Sequence, residues 1–258
     1  MTEVGGGATA NLGPEQGALA RMAGVLFSPG KTFESVARKP GWDWLVPVVL
    51  LMGLTLVGGI YINPKLDTDT AVKDTMKRID ARGNLSDAQK EQIKERVEKQ
   101  YAAVKTGWLR FLGPCFVLVP LLLVPLFYLG IAKAFGAAKT YVPILAGYAY
   151  CQIPQLLKGI VGLGVAWPRE SIDLNDAERI VRSSVGAFLD PATTSKALMT
   201  FMTSVDLFEI WGLVLGSIML ARTTRLSKNL AAIVVASLWL IFVLMKVAGA
   251  ALGAMFGG

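Results

Sequence analysis

Two apolar runs, residues 201–221 and 230–256, are separated only by the short basic turn Arg222-Thr-Thr-Arg225-Leu-Ser-Lys228. A hydrocarbon core about 30 Å thick takes about 20 residues of helix to cross, since each residue rises about 1.5 Å. Both runs meet that length, and so short a turn makes them antiparallel neighbours. Lipid offers the backbone no hydrogen-bond partner, so each run must satisfy itself as a helix. Three more runs repeat the pattern at about 44–62, 108–132 and 141–167. The chain is 53% apolar and 17% charged over 258 residues, well away from the balance of a soluble domain. The sequence therefore predicts an all-α, polytopic membrane helical bundle with five transmembrane helices.

The remaining chain is polar and punctuated. Residues 1–17 read as a disordered tail, and residues 1–11 are Gly-rich with neither the basic start nor the apolar core of a signal peptide. The first span is therefore expected to be an uncleaved anchor. From residue 18 to 39 the pattern is amphipathic: Phe33, Val36 and Ala37 share a helical face from which Lys31, Arg38 and Lys39 point away. Ser28-Pro29 is a helix-start signal, and the stretch is predicted as an N-terminal amphipathic surface helix, or two short ones, ended by Pro40-Gly41. Trp42 and Trp44 mark the membrane interface. Gly24 to Thr32 resembles a phosphate loop but has five residues between its glycines where four are needed, and no strand precedes it.

Residues 63–106 carry ten Lys/Arg and eight Asp/Glu. Ile93, Val97, Tyr101 and Val104 recur at helical spacing, which predicts a polar helical hairpin between spans 1 and 2. Gly83-Asn84 breaks it, and Ser86-Asp-Ala-Gln89 restarts it as a capping box. Span 2 contains Pro114, Pro120 and Pro125; span 3 contains Pro143, Pro154, Gln152, Gln155 and Lys158. A second polar helical segment is predicted over 168–199, capped at Asn175-Asp-Ala-Glu178, running to about Phe188 and closed by Asp190-Pro191. Residues 18–256 thus form a single membrane domain.

The net charge of +7 comes without a basic stripe interleaved with aromatics, so nucleic acid is not an expected partner. Cys115 and Cys151 both lie in apolar runs and read as small hydrophobes rather than a disulfide. There is no histidine, which removes the commonest metal ligand and general base. No catalytic, cofactor-binding or metal residue is predicted. The expected partners are the lipid bilayer and other membrane proteins, or a second copy.

Short loops rich in Lys and Arg favour the cytoplasm. The 133–141 link and the 222–228 turn hold five cations and no acids, with Arg38 and Lys39 before span 1. The expectation is a plasma (inner) membrane protein with its N-terminus cytoplasmic and its C-terminus outside. At 1.5 Å per residue, Glu209 and Lys158 then lie about 12 Å below the outer ends of their spans, Lys246 about 15 Å and Asp206 about 7–8 Å. Charges at that depth cost several kcal/mol unless they face protein or water. Lys158, Asp206, Glu209 and Lys246 are therefore the candidate site, an intramembrane charge cluster that is either structural or ligand-facing. Because spans 4 and 5 are neighbours, a Glu209–Lys246 or Asp206–Lys246 pair is expected. Gly212/Gly216 and Gly249/Gly253 carry the four-residue spacing of close helix contacts.

Several short motifs resemble the bacterial branch of the Yip-domain (Ypt-interacting-protein) family. Phe27-Ser-Pro-Gly-Lys-Thr-Phe33 precedes Trp42, Trp44 and Pro47 at the start of span 1. Ala146-Gly-Tyr148-Ala-Tyr150 with Pro154 is similar to the family's Tyr-and-Pro span, and Asp206-Leu-Phe-Glu-Ile-Trp211 to its acidic-aromatic approach to span 4. The resemblance implies five spans over about 20–256 and a non-enzymatic membrane protein; eukaryotic members are Golgi and endoplasmic-reticulum proteins linked to Rab GTPases. The long segment after span 1 departs from the eukaryotic pattern, and no binding residues carry over. Two functions follow. The first is organisation of membrane or protein partners. The alternative is a small-solute or lipid transporter or permease component, using a charged site in the outer half of spans 3–5.

Overall fold

The computed structural model describes residues 17–80, 86–105, 107–137, 140–173, 177, 180–190 and 193–256. The expected tail up to residue 16 and the Gly83-Asn84 break lie outside them. Helices α1 (Ala18–Phe27) and α2 (Pro29–Arg38) form a tight hairpin, followed by α3 (Leu45–Tyr61). A 3₁₀ turn and the short strand β1 (Leu66–Asp67) lead to α4 (Asp69–Asp80) and α5 (Asp87–Lys105). Next come α6 (Gly113–Ala134), α7 (Val142–Cys151), α8 (Ile153–Ala166), strand β2 (Ile172–Asp173) and α9 (Lys196–Ser204). Helices α10 (Leu207–Thr224) and α11 (Lys228–Phe256) end the chain.

Among the described residues, four segments are long and apolar enough to cross a membrane: Leu45–Lys65, Gly113–Ala134, Leu207–Thr224 and Lys228–Gly253. Their outward faces carry large apolar side chains such as Val49, Phe116, Phe127, Ile233 and Phe242. A helical, multi-pass membrane protein accounts for that belt.

The expected third span is divided. Pro154 has no N–H to offer the Tyr150 carbonyl, and the Gln152 N–H bonds to Ala149 O at 3.3 Å, so the helix breaks at Gln152 into α7 and α8. The expected fourth span also starts later than residue 201. Its first part is α9, which packs on α11, and the chain breaks at Val205 before α10 begins. The helix expected to reach Phe188 does not do so. Ser184 is held extended by an antiparallel bridge to Asp206, and Val185–Phe188 is a 3₁₀ turn. Asn175, Asp176, Glu178 and Pro191, which carried that expectation, lie outside the described residues.

Helix α10 is the centre of the bundle, packed against α2, α7, α8 and α11. Leu215, Met219 and Leu220 on α10 meet Ile144, Ala146 and Tyr150 on α7 and Val235 on α11. Gly147 makes this approach possible: a Cβ there would lie 2.6 Å from the Met219 side chain. The amphipathic N-terminal stretch is two helices, and its apolar face is used inside the protein. Val25, Phe33 and Val36 are fully buried in the same core. Gly24 lets α1 and α2 close, since a Cβ would sit 2.5 Å from Thr32 Oγ1.

The bundle has two differently built ends. The near end carries α1–α2, the link after α6 and the turn before α11, where Arg222 reaches Glu34 at 3.9 Å. The far end carries α4–α5 and a parallel β1–β2 pairing, Leu66 with Ile172 and Asp67 with Asp173. Leu66, Ala166 and Ile172 form a small buried cluster beneath it, and Lys65 Nζ donates to Trp167 O at 2.7 Å. Helices α4 and α5 pack together, and the capping box at Ser86 forms: Gln89 Oε1 accepts from Ser86 N at 3.0 Å and Ser86 Oγ from Gln89 N at 3.3 Å.

Candidate functional site

Helices α8 and α10 run antiparallel where they meet, and each presents polar residues three apart on one face, Gln155 with Lys158 and Asp206 with Glu209. The antiparallel sense matches them as two rungs. Lys158 Nζ lies 3.0 Å from Asp206 Oδ2, and Gln155 Nε2 donates to Glu209 Oε2 at 2.8 Å. Three members of the expected cluster are thus gathered on two helices. Lys246 makes neither of the pairs expected of it. It is exposed on α11, within electrostatic reach of Glu209.

Asp206 is the most constrained of the four, with its side chain 4% exposed. Its Oδ1 accepts from Phe208 N at 2.9 Å and Glu209 N at 3.3 Å, which caps α10. Its Oδ2 accepts from Lys158 and also from the Ser183 hydroxyl. The backbone around it is tied by Val185 N to Val205 O and Leu207 N to Ser183 O, both at 3.0 Å. Asp206 lies just before the Leu207–Thr224 span. Burial alone would raise its carboxyl, but the bonds from Ser183 and Lys158, the Lys158 charge and the Phe208 N–H outweigh that and hold it below the ordinary carboxylate range. This cap also corrects the depth expected of Glu209. With α10 starting at Leu207, Glu209 is within the first turn, about 3 Å from the helix start.

Glu209 looks into a cavity of about 550 Å³ bounded by α6, α10 and α11. The polar part of its lining is Glu209, Gln152, Gln155, Tyr128 and Tyr148; the rest is apolar, with Phe116, Trp239 and Phe242 prominent. Tyr128 and Tyr148 meet edge to face, centroids 6.2 Å apart. A second cavity, about 810 Å³, lies between α3 and α8 and is lined by Lys158 and Asn63 among apolar groups. Phe116 and Gln155 line both and form their common wall. Hydrogen-bond acceptors on an apolar wall can hold an amphiphile's polar group, and nothing more is required of them chemically.

A second polar joint, which sequence reasoning missed, closes the near end. Arg21 is buried and donates through Nη1 to Asp43 Oδ1 at 3.0 Å, Asp43 Oδ2 at 2.9 Å and Pro40 O at 3.2 Å. Its Nη2 donates to Lys39 O at 2.9 Å and Ser35 Oγ at 3.4 Å. Tyr150, leaning toward the start of α7 as helical side chains do, donates its hydroxyl to Asp43 Oδ2 at 2.8 Å. A lone arginine on the apolar face of α1 and a lone carboxylate between Trp42 and Trp44 were the available signals. Asp206 and Glu209 were likewise legible as an Asp-x-x-Glu helix start.

The family model described as Yip1 domain matches residues 23–249, which takes in Lys158, Asp206 and Glu209 and the Asp43 and Tyr150 members of the near-end joint, while Arg21 lies just before it. No curated protein matches the chain, and no solved structure does.

Proposed function

The chain belongs to the Yip1-domain family, and from that membership we propose that it is a non-enzymatic integral membrane protein that organises other membrane proteins, or copies of itself, within the bilayer. On this reading residues 18–256 are one membrane domain with five crossings, α7 and α8 together serving as the third. The cations of the near end, Arg38, Lys39, Lys133, Arg222, Arg225 and Lys228, favour a cytoplasmic N-terminus in the plasma (inner) membrane and a C-terminus outside. One observation carries the functional half. Lys158 and Asp206 are paired with each other and join α8 to the start of α10. Opposite charges spent on holding helices together are the internal glue of a scaffold. The polar α4–α5 pair, projecting at the far end, is then the natural docking element.

The test is in-membrane crosslinking followed by purification of the tagged full chain. The expected result is a reproducible set of membrane proteins that is lost when the exposed α5 pair is reversed, Glu95→Lys with Lys99→Glu. A second reading, a solute transporter component, is favoured by Glu209 at the wall of an internal cavity. It gains if no partner depends on α5 while a solute raises the melting temperature, and if Glu209→Gln abolishes that rise.

A further inference from the structure

The charges of the two ends are arranged differently. At the far end cations stand beside carboxylates: Lys90 Nζ lies 2.8 Å from Asp80, Lys99 Nζ 2.6 Å from Glu95 and Lys158 Nζ 3.0 Å from Asp206. At the near end Lys31, Arg38, Lys133, Arg222, Arg225 and Lys228 are all exposed. The acids there, among the described residues, are Glu34 and Asp43. Asp43 is taken up by Arg21 and Tyr150, and Glu34 is shared by Arg38 and Arg222. Six outward cations thus face one outward carboxylate.

Helix geometry sets the level of these cations. Lys133 is next to last in α6, Arg222 lies in the last turn of α10, and Lys228 opens α11. Each is within one turn, about 5 Å, of the end of a membrane-length helix, which is where lipid phosphates stand. The α1–α2 hairpin is held at the same level. The Arg222 guanidinium lies over Gly30, where a Cβ would stand 3.6 Å from Nη2, and Lys31 is the next residue of α2. Phe27 at the tip of the hairpin and Trp42 just after it are 84% and 79% exposed, and Phe135 follows Lys133, also exposed. Rings at that level suit the headgroup boundary; an acidic soluble protein would leave them unmatched.

We propose that the near end is a docking surface for anionic phospholipids of the surrounding bilayer. Its cations bind headgroups of net negative charge and gather such lipids around the α1–α2 hairpin. The surface goes beyond the organising role and stands or falls separately from it, whichever compartment the near end faces. Anionic lipid seated there offsets the mutual repulsion of the six cations and holds the hairpin to the bilayer.

Native mass spectrometry of the full chain in detergent tests this, with phosphatidylglycerol and phosphatidylcholine of identical acyl chains as probes. The expected result is phosphatidylglycerol bound about tenfold more strongly, since net charge is what distinguishes the two headgroups to a basic surface. A near-end variant combining Lys31→Gln, Lys133→Gln, Lys228→Gln and Arg225→Asn should bring phosphatidylglycerol close to the phosphatidylcholine level. Asparagine is chosen at 225 because the backbone there is left-handed, with φ 67°. A far-end variant combining Lys73→Gln, Lys77→Gln, Arg96→Gln and Lys99→Gln, all at exposed positions, changes the net charge equally and should leave the preference intact. Should the near-end variant fail to fold, raising ammonium acetate from about 0.05 to about 0.5 M around the unaltered chain decides, because the preference should shrink with the Debye length. Equal binding of the two lipids, a preference undiminished by the near-end variant or by salt, or one lost in the far-end variant overturns the proposal.

Discussion

The two polar joints of this bundle solve the same problem in opposite ways. At the near end one guanidinium, Arg21, gathers acceptors from a single short stretch: Ser35, Lys39, Pro40 and Asp43. Its planar fork suits that, because several donors are fixed in one geometry. At the far end Asp206 does the gathering, taking donors from α8, from Ser183 beside the Ser184–Asp206 bridge and from the first turn of its own helix. The first joint clamps a local hairpin onto α7 through Tyr150; the second ties together elements far apart in sequence. The difference teaches where each is vulnerable. Loss of Arg21 leaves the half-buried Asp43 carboxylate without its cation, whereas loss of Lys158 leaves Asp206 still capped and still bonded to Ser183.

The comparison breaks most visibly at Arg21. Arg21→Ala leaves Asp43 without its cation and should cost about 3–5 kcal/mol, the range for removing one partner of a buried ion pair. Thermal unfolding in detergent measures it, and a cost no larger than that of Lys158→Met would contradict the contrast. Acid sharpens it at the other end. The Asp206 carboxyl lies lower in the folded chain than in the unfolded one. Its contribution is therefore full above the unfolded value, about 3.9, and is lost as pH falls through the folded value. Asp206→Asn should cost about 1–3 kcal/mol at neutral pH and flatten the acid side of the stability curve. Retention of the wild-type acid dependence in that variant would remove Asp206 from the account. The smallest effect belongs to Tyr150→Phe, about 1 kcal/mol for one hydrogen bond to a carboxylate, read by the same unfolding measurement. No loss would mean that the clamp does not extend to α7.

Much of this was legible from the chain. Run length identified four membrane-length helices among the described residues, because the bilayer imposes a length that composition satisfies, but not the break at Gln152 that divides the expected third span. Local chemistry was equally readable where it closed on itself, as in the Ser86–Gln89 box. Lys158, Asp206 and Glu209 were readable as a cluster because ionised groups in or beside apolar runs are costly unless they face one another. Their partners were not. Depth put Lys158, Glu209 and Lys246 in one layer, and the short turn between spans 4 and 5 singled out Lys246 as the partner, but the cation on Asp206 is Lys158, brought in by α8. The bridge from Ser184 to Asp206 and the reach of Arg21 to Asp43 depend on tertiary contact, which periodicity does not report. The near-end helices were seen as amphipathic, but a pattern does not say whether its apolar face meets lipid or protein; here Phe33 and Val36 meet α10 and α7.

The central claim is that the far-end charges are first of all a joint between α8 and α10. A double-mutant cycle of Lys158→Met with Asp206→Asn, unfolded in lipid or detergent, tests it directly. The predicted result is a coupling of about 1 kcal/mol, with none in the parallel cycle of Lys246→Met with Asp206→Asn. Coupling of Asp206 to Lys246 and not to Lys158 would contradict it.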